Sequence, residues 1–256
     1  MSGMGAYPDL SGQHVFITGA ARGLGKSMAE KLASCGATVA VTDVDASGCA
    51  AVAAGICGTG GVALAYPVDV ALRDQIMNAA AQFAKACGRI DAVVNNAMLL
   101  RYEPVEKITP ETLSRMTAIG INGSIWGAQA LLAHYDAVRG GAIVNMASPV
   151  AEKGFPNTAA YSLVKGAIVT LTKVLAAELG PRNVRVNAIA PGSVPTPGAL
   201  GINDKAEYER RMHSIPLRRL GREEDNAEAC AFLLSCAASF INGEILHVDG
   251  GIAAAG

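Results

Sequence analysis

The chain has 256 residues, 51% of them apolar, enough for one large α/β core. Its formal net charge of −1 leaves no basic field for nucleic acid. No unbroken apolar run reaches membrane-spanning length, and Met1 to Leu10 lacks a basic stretch followed by an apolar core, so a soluble, cytoplasmic protein is expected.

From residue 14, short β-branched runs alternate with longer Ala-rich stretches, the pattern of βαβ units and a parallel sheet. Strands are predicted over His14–Thr18, Thr38–Thr42, Val62–Pro67, Ala92–Asn95, Ala142–Met146, Arg185–Ala190 and Glu244–Val248. Helices are predicted over Leu24–Cys35, Leu72–Cys87, Pro110–Tyr135, Ala159–Leu179 and Glu223–Ala238, several closed by glycine. No linker, charge block or repeat interrupts this alternation. One domain over residues 1–256 is expected, a doubly wound seven-stranded parallel sheet of Rossmann type, with ligands beyond the carboxyl ends of its strands. The six cysteines form no C-x-x-C pair and stand apart from the four histidines, which predicts free thiols and no metal.

The first predicted strand runs into Thr18-Gly19-Ala20-Ala21-Arg22-Gly23-Leu24-Gly25 and then a helix. Glycines there allow a tight turn and close approach of the backbone to a pyrophosphate, whose charge the helix N-terminus favours. Asp43, ending the second strand, is placed to accept from both ribose hydroxyls of NAD and to repel a 2′-phosphate, unless it is only a turn residue or a cap. Arg22, inside the glycine turn, argues instead for NADP. After the third strand, Asp69 beside Val70 either meets the adenine or caps the next helix. Asn95, Asn96 and Ala97 follow the fourth strand, where amide side chains tie loops together beneath a cofactor. Gly120, Asn122 and Gly123 weaken a helical stretch and predict a local distortion, whose freed carbonyl would hold a water between Asn122 and Lys165.

Tyr161 and Lys165 are four apart and share a helix face. Lowering a phenol from about 10 to about 7 takes roughly 4 kcal/mol. A unit charge about 4 Å away at an effective dielectric of about 20 supplies roughly that amount, so Lys165 and a positively charged ligand together suffice. Tyr161 then trades protons.

With Thr18 to Gly25, Asp69, Asn95 to Ala97, Asn122, Ser148, the Tyr161-x-x-x-Lys165 pair, Pro191-Gly192 with Thr196, and Gly243 to Gly251 in this order, the chain resembles the short-chain dehydrogenase/reductase family over nearly its whole length. The resemblance implies that Tyr161 is the acid/base, Ser148 binds the substrate oxygen, Lys165 holds the nicotinamide ribose and Asn122 the relay water. It places Pro191, Gly192, Val194 and Thr196 near the carboxamide end of the cofactor. Met98 departs from the pattern, standing where the family has glycine. The resemblance also implies a lid over about 195–220, with a charged helical middle at Asp204–Met212. Met98, Leu99, Pro149, Val150, Phe155, Val194, Leu200 and Met212 would face the substrate, and Arg101, Glu152 and Lys153 its rim. Together these imply an NAD-dependent alcohol dehydrogenase or ketone reductase acting on a small, largely apolar secondary alcohol or ketone. An NADP-dependent reductase is the alternative, and a non-catalytic nucleotide-binding protein a remoter one. A homotetramer is implied, through Pro110–Tyr135, Ala159–Leu179 and the last strand.

Overall fold

The computed structural model describes residues 8–200 and 205–255. They form a parallel sheet of β1 (His14–Thr18), β2 (Thr38–Asp43), β3 (Val62–Pro67), β4 (Ala92–Asn95), β5 (Gly141–Met146), β6 (Val184–Pro191) and β7 (Ile245–Val248), in the order 3-2-1-4-5-6-7. All six pairings are parallel. The central strands are apolar throughout because helices cover both faces, and their side chains alternate between two cores. Val15 and Ile17 point to one side, into a core shared with α1 (Gly23–Ser34), α2 (Ala46–Gly58) and α9 (Glu223–Leu234). Phe16 points to the other, into a core shared with α3 (Arg73–Cys87), α5 (Gly123–His134) and α6 (Ala159–Leu179).

The seven strands lie where the sequence puts them, to within a residue or two at their ends. Helix α2 has no counterpart among the expected helices. Its run of Ala and Gly carries almost no apolar periodicity, and it is defined instead by Asp45, whose carboxylate accepts from the Gly48 N–H at 3.0 Å. The single helix expected over Pro110–Tyr135 is three pieces: α4 (Pro110–Thr117), a π-helical turn over Ala118–Asn122, and α5. The turn's wider winding appears as a hydrogen bond from the Gly123 N–H to the Ala118 carbonyl. A Cβ on Gly120 would stand 2.4 Å from Val164 Cγ1 and 3.0 Å from Met98 Sδ, so only glycine lets this turn pass α6 so closely. Beyond β6 lie the short α7 (Pro197–Leu200) and α8 (Lys205–Ser214). No helix of the described residues is long and apolar enough to cross a membrane.

Candidate active site

The strand order reverses between β1 and β4, and a cavity of about 1130 Å³ opens beyond the carboxyl ends of the strands. The first connection builds one end of it. Gly19 and Gly23 have φ of 66° and 59°, and a Cβ on Gly25 would stand 2.1 Å from the Gly19 carbonyl oxygen. Only glycine fits there, and the bare backbone brings the first turn of α1 to the cavity wall beside Arg22. Asp43 lies across from them. Its carboxylate accepts from the Ala21 N–H at 3.2 Å and the Asp45 N–H at 3.1 Å, so it fastens the glycine turn while its edge lines the cavity. Helix α2 is capped by Asp45, not by Asp43.

Asp69 and Val70 continue the wall. The Asp69 carboxylate accepts from Arg115 at 2.8 Å and from the Ala71 N–H at 3.0 Å. It does not cap α3, whose N-cap is Leu72. Asn95 lies behind the wall, buried, donating to Asn145 at 2.9 Å and to the Ser124 carbonyl at 3.2 Å. Asn96 donates to the Thr18 and Gly19 carbonyls at 3.0 and 2.9 Å, while the Thr18 hydroxyl accepts from the N–H groups of Asn96 and Ala97. These bonds hold the glycine turn against the end of β4, with Ala97 exposed to the cavity.

At the other end, α6 presents Tyr161 and Lys165, and the end of β5 presents Ser148. The side chains of Ser148 and Tyr161 meet there, within reach of each other. Tyr161 is partly open to the cavity, yet its hydroxyl is enclosed well enough that burial holds the phenol above its ordinary value. Lys165 is 5% exposed, and burial lowers its ammonium from 10.5 to about 8, so it is still charged at neutral pH. Its Nζ donates to the Met146 carbonyl at 2.5 Å. Asn122 closes the π-helical turn and is not among the residues lining the cavity.

Pro191 at the end of β6 and Gly192, Val194 and Thr196 beyond it line the cavity, and Met98, Leu99, Pro149, Val150 and Phe155 add an apolar wall. Met98 also packs with Met116, Ala160 and Val164 behind Tyr161. Met212 does not line the cavity. The residues of α8 that do are Glu207, Tyr208, Arg210, Arg211 and Ser214. The side chain of Leu200 and residues 201–204 lie outside the described residues. Sequence reasoning missed Tyr102, whose ring stands edge-on to that of Tyr161 with centroids 5.6 Å apart. It also missed Tyr208 and Arg211, which in sequence belong to a charged, solvent-like helix.

The glycine cradle, the acidic end of β2 and the cavity's size fit an extended dinucleotide, and its far end holds a hydroxyl pair beside a buried amine. Fold and site together define an oxidoreductase. A family profile described as enoyl-(acyl carrier protein) reductase matches residues 19–253. The D-threitol dehydrogenase of Mycolicibacterium smegmatis is 37% identical over 242 residues, covering 94% of this chain and 93% of its own. Among solved structures, a 7α-hydroxysteroid dehydrogenase complexed with NADH superposes with a TM-score of 0.92 at 32% identity, covering 95% of both chains. A gluconate 5-dehydrogenase from Burkholderia cenocepacia, in complex with NADP and tartrate, gives 0.92 at 32%, covering 97% of this chain and 98% of that one. The chain belongs to the short-chain dehydrogenase/reductase family.

Proposed function

We propose that the protein transfers a hydride between NAD and a small secondary alcohol or the corresponding ketone, with Tyr161 as general acid/base. The observation that carries this reading is the meeting of the Ser148 and Tyr161 side chains in the same cavity as the glycine turn. A substrate oxygen placed between the two hydroxyls would be held by Ser148 while Tyr161 takes or returns its proton. Bound NAD supplies the carbon that accepts the hydride and a positive ring charge.

Lys165 would hold the nicotinamide ribose and, with that ring charge, bring the phenol down from the raised value it has in the protein alone. Asn122 is assigned to the relay water, supported by the π-helical turn it closes. Asp43, on the cavity wall at the end of β2, supports NAD; Arg22 in the same wall supports NADP as the second reading. The apolar wall of Met98, Leu99, Pro149, Val150 and Phe155 supports an uncharged substrate near the reacting carbon. The segment over about 195–220 is proposed as a lid, with α8 on its inner side. A cytoplasmic homotetramer is the proposed assembly, supported by Leu163 and Val174, which α6 exposes on its surface.

The test follows the reduced-nicotinamide absorbance with a panel of secondary alcohols and each cofactor in turn. NAD-dependent oxidation is expected. A strict requirement for NADP favours the second reading, and inertness toward every alcohol and ketone with both cofactors refutes hydride transfer.

A further inference from the structure

The cavity wall supplied by α8 is polar, and the reaction above makes no use of it. Glu207, Tyr208 and Arg211 face the cavity together with Tyr102. Tyr208 is only 8% exposed, and its hydroxyl is buried with no hydrogen-bond partner among the described residues. A phenol sealed from water without a partner keeps an unmet capacity for a hydrogen bond. Arg211 donates from Nε to Glu207 at 2.7 Å and lies within electrostatic reach of Tyr102. A phenol both donates and accepts, so Tyr102 beside it offers the cavity a donor as well as an acceptor. Burial keeps Tyr102 a neutral phenol.

We propose that Tyr208, Tyr102, Arg211 and Glu207 form a second hydroxyl-binding subsite, so that the preferred substrate is a diol or short polyol. This rests on the hydride-transfer reading: one hydroxyl meets Ser148 and Tyr161 while another meets the phenols. Hydroxyls suit the site better than a carboxylate. Glu207, held ionised by Arg211 and Arg210, offsets the charge of Arg211 at close range and repels an anion about as strongly as Arg211 attracts one. Arg210 has a side chain 68% exposed, where solvent screens it. A hydroxyl both gives and accepts, as do the two phenols it would meet.

The test compares sec-butanol, β-butylene glycol and β-hydroxybutyrate, which share one carbon skeleton and end in a methyl, a hydroxymethyl and a carboxylate, together with the same trio lengthened by two methylenes. At one length or the other, the diol's kcat/KM is expected to exceed that of the mono-alcohol by about ten-fold or more, with the hydroxy acid below the diol. In Tyr208→Phe the ratio of diol to mono-alcohol should fall toward one, chiefly through KM. Saturation transfer from protein to diol, observed by NMR without turnover, should be strongest at the distal hydroxymethyl. Equal use of mono-alcohol and diol by the wild type at both lengths overturns the subsite alone. So does preference for the hydroxy acid, or a ratio that survives Tyr208→Phe. Inertness of every compound with both cofactors overturns the hydride-transfer reading and the subsite with it.

Discussion

The ammonium of Lys165 lies 5.5 Å from the centre of the Tyr161 ring and donates to the Met146 carbonyl at 2.5 Å. The lysine is therefore tied to the end of β5 rather than swinging free. In the protein alone, burial governs both groups, raising the phenol and lowering the amine. Tuning Tyr161 toward neutral pH needs the cofactor's charge in addition to that of Lys165.

Replacing Tyr161 by Phe should lower kcat by about 10³-fold, since it removes the group that exchanges the proton and little else. NAD binding, followed by calorimetry, should change less than about three-fold, because a lost hydroxyl at the far end of the cavity touches none of the glycine-turn backbone. Retained turnover would dismiss the assigned acid/base.

Lys165→Met isolates the cost of the buried amine. A folded value of about 8 against an ordinary 10.5 costs about 3 kcal/mol at neutral pH, partly offset by the hydrogen bond to Met146. Because the folded value is lowered, the unfolded chain binds more protons between pH 8 and pH 10.5, and stability from this group rises with pH across that window. Wild type should therefore gain on the variant by about 2 kcal/mol between pH 7 and pH 10 in urea unfolding. A difference that stays flat, or shrinks in the opposite sense, contradicts the depressed amine.

Asp43→Ser should move cofactor preference toward NADP by about ten-fold to a hundred-fold in kcat/KM, by removing the charge that repels a 2′-phosphate while Arg22 remains. A modest loss with NAD should accompany it, as the bonds to Ala21 and Asp45 weaken. An unaltered NAD-to-NADP ratio would remove Asp43 from the account of specificity.

Gly25→Ala should be among the most damaging single-methyl changes in the chain. The added Cβ meets the Gly19 carbonyl oxygen at 2.1 Å and Asn96 Nδ2 at 2.5 Å, both parts of the hydrogen-bonded turn. A stability loss of about 3 kcal/mol or more is expected, with cofactor affinity falling in whatever protein folds. Thermal melting with and without NAD separates the two effects, and near-wild-type behaviour in both would show that the turn is more pliable than its geometry.

Met98→Gly removes the side chain that packs against Gly120 and Val164. About 1 to 2 kcal/mol of stability should be lost, and KM for bulkier ketones should fall as the space beside Tyr161 opens. An unchanged melting temperature would mean that Met98 faces only the open cavity.

Much of this arrangement was legible from residue spacing. Short β-branched runs placed the strands, Gly19, Gly23 and Gly25 placed the turn between β1 and α1, and the weak helix formers around Asn122 marked the site of the π-helical turn. Helix α2 was not legible, since Ala and Gly give no apolar contrast from one face to the other. The expectation that Met212 faces the substrate failed for a related reason: apolarity alone does not say which side of α8 turns inward, and the inner side is Glu207, Tyr208 and Arg211.

What the sequence determined by itself is local: where the chain is extended or helical, which turn admits only glycine, and that a tyrosine and a lysine share a helix face. Only the tertiary structure decided that Tyr102, from an irregular loop, stands edge-on to Tyr161, and that Tyr208 of α8 comes to the same cavity with its hydroxyl unmet. The physical reason is that periodicity and propensity report on neighbours within a few residues. The meeting of loop, α6 and α8 is set by how the cores pack and the loops close, which leaves no periodic mark on any one segment.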